Sequence, residues 1–227
     1  MNGLRRYLSA VWQVFRKDIQ VEVRGRQGLP VMLVFALLVV FLFNFALQLS
    51  PGLQAGLTAG LLWVSLAFAS TLGLNRSVSL EGENNALDGL LLAPVDRSAI
   101  FFGKTLSNLV FTLLVALVLL PVFSLFYDLN LLRPGLFLVV LLGQGAYTSL
   151  GTLLAALSIQ TRTRDVLLPV LLYPLALPVL IAAVEASRGI LAGTPLGDLR
   201  SWLFLLAACN VLFLAAGLMF FETILEE

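Results

Sequence analysis

The sequence predicts an all-α integral membrane protein, with six transmembrane helices following an N-terminal amphipathic helix that lies at the membrane surface. Three observations predict it. Hydrophobic residues make up 59% of the 227 and charged residues only 12%, with mean hydropathy +0.99, whereas soluble domains run about 45–50% apolar and about 25% charged. The apolar residues come in six runs near the roughly 20 residues that a bilayer of about 30 Å requires. None of those runs alternates in polarity as a barrel strand would, and in lipid only helices and closed barrels satisfy every backbone polar group.

The elements follow in order. Over residues 1–26, Leu4, Leu8, Val11, Trp12, Phe15 and Ile19 recur at helical spacing, with Arg5, Arg6, Gln13, Arg16, Lys17, Gln20 and Arg24 between them. That pattern is too charged to cross a bilayer. It suits a helix in the headgroup layer, with Trp12 and Phe15 in lipid and the arginines on lipid phosphates. The stretch has no short apolar core with a cleavage site, so no removable signal peptide is read, and the first span is expected to act as the uncleaved signal. The spans run approximately Pro30–Leu49, Leu53–Leu74, Thr105–Phe126, Pro134–Ile159, Val166–Val184 and Trp202–Phe221, within one transmembrane domain, 1–227.

Charge placement orients the chain. With the N-terminus inside, Arg5, Arg6, Arg16, Lys17, Arg24, Arg26, Arg76, Arg97, Lys104, Arg162 and Arg164 are cytoplasmic, and only Arg133, Arg188 and Arg200 are outside. Cytoplasmic loops carry the excess of Lys and Arg, so both termini are expected in the cytoplasm. The net charge of +1 gives no reason to expect nucleic acid. Cys209 is the single cysteine, which excludes an internal disulfide.

The loops are unequal. Ser50–Gly52 is a tight turn and Gln160–Asp165 a short charged link, while Glu185–Arg200 is long enough for a short external helix or lid. The 76–104 connection is far longer than a turn needs and carries Glu81, Glu83, Asp88, Asp96, Arg97 and Lys104. Polar residues within the spans are few: Asn44, Gln48, Asn108, Gln144, Thr148, Ser149, Asn210 and the hydroxyl of Tyr173. They suit interhelical hydrogen bonds worth about 0.6–2 kcal/mol each. Gly145 with Ser149, and Gly151 with Ala155, let the fourth span approach another helix closely, within the chain or in a homodimer. Pro169, Pro174 and Pro178 should kink or break the fifth span; such interruptions serve gating or substrate sites in some membrane proteins and are plain kinks in others.

Much chemistry is absent. No histidine exists to act as general base, metal ligand or haem ligand. There is no phosphate-binding Gly-x-x-x-x-Gly-Lys-Ser/Thr run, no Gly-x-Ser-x-Gly and no metalloprotease motif. No acidic residue lies near a span centre, which disfavours a proton- or sodium-coupled transporter. The reading is a non-enzyme with no catalytic residue, no metal and no identifiable cofactor-binding residue.

The 76–104 loop contains Leu-Asp-Gly-Leu-Leu-Leu-Ala-Pro, residues 87–94. Asn84 or Asn85 can cap a helix of about two turns from Ala86, and Pro94 ends it. Leu87, Leu90 and Leu91 form one edge, to be inserted into a partner's groove or laid on the membrane surface. The basic amphipathic N-terminal helix, the six spans and the segment from Glu81 to Lys104 together resemble the CcmB family, the membrane subunit of the haem-exporter complex of cytochrome c maturation. The resemblance covers essentially the whole chain, and the six-span pattern is shared with ABC-2-type permeases generally. It implies a bacterial inner-membrane subunit that couples ATP hydrolysis by a separate CcmA-like ATPase to haem translocation or to release of a haem-loaded chaperone. It also implies CcmC-like and CcmD-like membrane partners and a CcmE-like chaperone, in a complex expected to hold two copies of this chain. Glu81, Glu83, Leu87, Asp88, Leu90, Leu91 and Pro94 would then contact the ATPase. With no histidine, stable haem ligation falls to partners, so haem is a substrate and not a resident cofactor. A permease for a drug, lipid or polysaccharide precursor, and a scaffold that transports nothing, are the alternatives.

Overall fold

The computed structural model describes residues 2–25, 28–46, 54–83, 96–158 and 164–224. Among the described residues there are seven helices: α1 (Asn2–Gly25), α2 (Gly28–Ala46), α3 (Gln54–Glu83), α4 (Arg97–Tyr127), α5 (Pro134–Ser158), α6 (Arg164–Leu191) and α7 (Arg200–Ile224). The last six are long and apolar enough to cross a membrane. Each backbone hydrogen-bonds within its own helix, which is the condition for crossing hydrocarbon.

α5 is the axis of the bundle. It packs against α3, α4, α6 and α7, and 78% of its most apolar window is buried, against 17% for α2 and for α7. Its small residues permit this. A Cβ at Gly143 would collide with the ring of Trp63 on α3, and one at Gly151 with Leu74. A Cβ at Gly145 would lie 2.6 Å from Asn210 Oδ1 on α7. Close helix approach through small residues is the main packing device where lipid offers no hydrophobic drive. Gly145, Ser149 and Gly151 are thus spent on contacts within the chain, and the Ser149 hydroxyl donates to Gly145 O at 2.7 Å on its own helix. α2 lies on α3 and α4, with Met32 seated where a Cβ at Gly73 would be 2.7 Å from its sulfur, and Phe41 meets Phe126 edge to face.

α1 runs along the beginning of α4. Its inner stripe is not the one the apolar periodicity picks out. Val14 is buried with Ile100, Phe101, Leu153 and Ala156, because Gly103 opens a socket in which its own Cβ would stand 2.7 Å from that of Val14. Leu4, Leu8 and Trp12 point outward and stay exposed, on the side assigned to lipid; Trp12 and Phe15 pair at 5.2 Å.

Three boundaries differ from the sequence reading. The 76–104 connection is flanked by helix on both sides, since α3 continues to Glu83 and α4 begins at Arg97. Hydropathy marks where lipid ends, whereas backbone hydrogen bonding carries a helix on into water. α6 is one continuous helix through Pro169, Pro174 and Pro178, so it is not broken; neighbouring helices support the turns that lose a donor. It also extends to Leu191, which takes Glu185 and Arg188 out of the expected loop. Gly193 ends it with φ +85°, its amide donating to Ile190 O at 3.1 Å while Thr194 N donates to Gly189 O at 2.8 Å, a glycine stop in left-handed conformation.

Candidate functional site

The leucine-edged segment and its expected contact residues Leu87, Asp88, Leu90, Leu91 and Pro94 lie outside the described residues, as do the proposed caps Asn84 and Asn85. Glu81 and Glu83 fall in the last turns of α3. The far side of the connection is anchored. Asp96 precedes α4, its carbonyl accepting from Ala99 N at 2.9 Å. About two turns further on, the buried Lys104 lies 3.9 Å from Asp18 of α1, and Asp18 also pairs with Lys17 at 3.3 Å. One turn beyond Asp18, the C-terminal end of α1 is tied to the first span: Glu22 Oε1 accepts from the amides of Gly28 and Leu29, each at 2.7 Å. A carboxylate there satisfies two of the four unpaired amides of α2 and meets the positive end of its dipole.

Inside the bundle, hydroxyl and amide groups form a seam where α3, α5 and α6 meet. Ser70 Oγ donates to Gln144 Oε1 at 2.9 Å. Thr71 Oγ1 lies 2.9 Å from the Tyr147 hydroxyl and donates to Tyr173 Oη at 3.3 Å. The Tyr147 hydroxyl also reaches Ala67 O at 3.3 Å. Further along α3, Trp63 Nε1 donates to Ser187 Oγ of α6 at 2.9 Å. α4 is joined to α5 by Asn108 Nδ2 on Thr152 Oγ1 at 3.0 Å, and α7 to α5 by Asn210 Nδ2 on Leu142 O at 2.7 Å. Of the polar residues singled out from sequence, Asn108, Gln144, Tyr173 and Asn210 therefore bridge helices. Thr148 bonds back to Gln144 O of its own helix at 2.7 Å, and Gln48 lies outside the described residues.

Ser70, Thr71, Tyr147 and the Trp63–Ser187 pair went unread. A signal existed: Gly60, Ala67, Ser70 and Thr71, small or polar residues, share one face of α3 with Trp63 and Leu74 at helical spacing.

Between the Tyr173 and Trp63 bridges, α3 and α6 stand apart and leave a groove of about 330 Å³, walled by Gly60, Trp63, Val64, Ala67, Phe68, Tyr173, Leu180 and Val184. Val64 and Phe68 are also exposed on the outer face of the bundle, so the groove opens towards lipid. Phe68 and Tyr173 face one another at 5.5 Å and 54°. A second groove, about 420 Å³, lies between α4 and α5, with Leu113, Leu114 and Leu117 among its largely aliphatic walls. Among the described residues no group of three or more His, Cys, Asp or Glu could hold a metal ion.

Comparison with known proteins is consistent across the chain. The family model described as CcmB protein matches residues 9–222. Similar curated proteins are each named heme exporter protein B. That of Rhodobacter capsulatus is 33% identical over 175 residues, covering 76% of this chain and 79% of its own. That of Bradyrhizobium diazoefficiens is 30% identical over 187, covering 82% and 84%. That of Paracoccus denitrificans is 32% identical over 200, covering 88% and 90%.

Proposed function

This chain belongs to the CcmB family, and from that premise we propose that it is the multi-pass membrane subunit of a haem-exporting ABC complex in the bacterial inner membrane, with both termini in the cytoplasm. The observation that carries the reading is the family match, which runs from α1 through all six spans, together with relatives named as haem exporters over most of their length. ATP hydrolysis belongs to a separate CcmA-like subunit, and CcmC-like, CcmD-like and CcmE-like proteins are the remaining partners. Two copies of this chain serve one complex. Haem is substrate, held by partners or passed on, and is not a resident cofactor of this chain.

In this reading the segment Ala86–Pro94, with Glu81 and Glu83 on its approach, docks on the ATPase, and its movement is passed to the spans. The anchoring of the C-terminal part of α1, at Asp18 and one turn on at Glu22, supports it. A shift at the start of α4 pulls on Asp18 through Lys104, and α1 delivers it to α2 through Glu22. The continuous, proline-bearing α6 is the span suited to bend, with Pro169, Pro174 and Pro178 as the places where it gives.

The test is stimulation of the co-purified ATPase subunit by this chain. Leu90→Asp and Leu91→Asp place a charge in a contact where each buried leucine contributes about 1.5–3 kcal/mol, and both should abolish stimulation. Full stimulation by both variants refutes the docking role.

A further inference from the structure

We propose that the start of α4 drives α7 as well as α1, with Phe101 as the positioning residue that passes movement on through its contact at Gly217. The inference rests on the reading in which the ATPase acts on the connection leading into α4, and it adds a second route out of that joint.

Phe101 stands in the second turn of α4 and is fully buried. Its ring reaches across to α7, where the buried Gly217 has no side chain to hold it off. A Cβ there would collide with Cζ and Cε1 of the ring and lie 2.7 Å from Cε2. The tip of the ring therefore sits in a socket on α7. Val14, Ile100, Leu153 and Ala156 pack in the same cluster, and so dense a surround transmits displacement with little compression. Two residues on, Gly103 receives Val14 of α1, and Lys104 follows with its pairing to Asp18. Within four residues, α4 is joined to both α7 and α1.

The burial of the spans decides which of them yields. α5 has 78% of its most apolar window buried, against 17% for α2 and for α7. The spans joined to the start of α4, α7 directly and α2 by way of α1 and Glu22, are thus the two with the least contact to give up. A displacement there moves them about α5 before it moves α5. α7 also has a pivot. Asn210 Nδ2 donates to Leu142 O of α5 at 2.7 Å, two turns before Gly217. Beyond the socket, Leu218, Met219 and Phe220 are exposed and turn away from the bundle, so the C-terminal part of α7 has room to swing.

The test uses the complex with its ATPase subunit in nanodiscs. Cys209→Ala removes the native thiol, and one reporter cysteine is added at a time: Met219→Cys on α7 or Val31→Cys near the start of α2, both at exposed positions. The rate of reaction with a water-soluble maleimide is read on this chain's gel band, without nucleotide and with ATP trapped by vanadate. In the parent complex, nucleotide should change both rates about fivefold or more. Phe101→Ala should abolish the change at Met219→Cys and leave that at Val31→Cys, whereas a general loss of structure removes both. The route is overturned if nucleotide leaves Met219→Cys unchanged in the parent complex, if Phe101→Ala keeps that response, or if it loses both responses alike. Should Phe101→Ala not assemble, Phe101→Leu, which keeps an apolar side chain but withdraws the ring tip from Gly217, is read by the same criteria. None of these results bears on the docking reading, which falls with Leu90→Asp and Leu91→Asp, or on the exporter reading, which falls if cells lacking this chain mature their c-type cytochromes normally.

Discussion

Adding one methyl group at Gly143 tests the packing at the centre of the bundle. In Gly143→Ala the new carbon collides with Cη2 of Trp63 and lies 2.8 Å from Cζ3 and 3.1 Å from Cζ2. The indole is 1% exposed and has no free end to yield, because its Nε1 is held by Ser187 at 2.9 Å. Overpacking of this kind costs about 1–3 kcal/mol. Displacing the ring also weakens a buried hydrogen bond worth about 0.5–1.5 kcal/mol. Against these stands the gain of about 1 kcal/mol for replacing glycine by alanine in a helix, so the net loss is about 1–3 kcal/mol. Cys209 offers the assay, being the single cysteine and buried: a dye that fluoresces on reacting with thiols reports unfolding during a thermal ramp in detergent. Gly143→Ala should unfold at lower temperature than the parent. Gly60→Ala, which meets open space, should unfold at the same or a higher one. In a Trp63→Leu background the collision is gone, and Gly143→Ala should become neutral or stabilising, giving a coupling of about 1–3 kcal/mol between the two positions. A Gly143→Ala protein as stable as the parent, with the same effect in both backgrounds, would refute the argument.

Two further substitutions probe the joints. Glu22→Ala removes the cap on α2 and should cost about 0.5–2 kcal/mol, seen as a lower unfolding temperature, with Glu22→Gln losing less because it keeps an acceptor. Asn108→Leu deletes the hydrogen bond from α4 to Thr152 and should cost about 0.6–2 kcal/mol; in a Thr152→Val background, where the partner hydroxyl is already gone, the same thermal ramp should register a smaller loss.

The six spans, the amphipathic α1 and the prominence of the connection after α3 were legible because each is a local property. Hydropathy, run length and charge spacing are set by neighbours in sequence. The bridging side chains of Asn108, Gln144, Tyr173 and Asn210 were likewise visible as polar groups in hydrocarbon, whereas Ser70, Thr71 and Tyr147 were passed over. Helix ends were less so. α3 and α4 continue into the 76–104 connection, and α6 runs through three prolines and on to Leu191, because a helix persists where neighbours support it and not only where its own residues favour it.

Partnership belongs to the tertiary structure. The apolar periodicity of α1 sets Leu4, Leu8 and Trp12 toward lipid, where they face outward, but it gives no sign that Val14 enters the bundle, because Gly103, some ninety residues away, leaves the socket for it. Nothing near Asp18 and Glu22 in the chain marks their partners; the fold places Lys104 and the amides of Gly28 and Leu29 beside them. Gly60 and Gly143 cannot be told apart as letters; one faces open space and the other a fixed indole. The sequence by itself determined what kind of solvent this chain lives in and how many times it crosses, because transfer of residues into lipid is nearly additive along the chain. Only the folded bundle decided which side chains meet and where a cavity remains, because packing depends on distances between residues that no local pattern encodes.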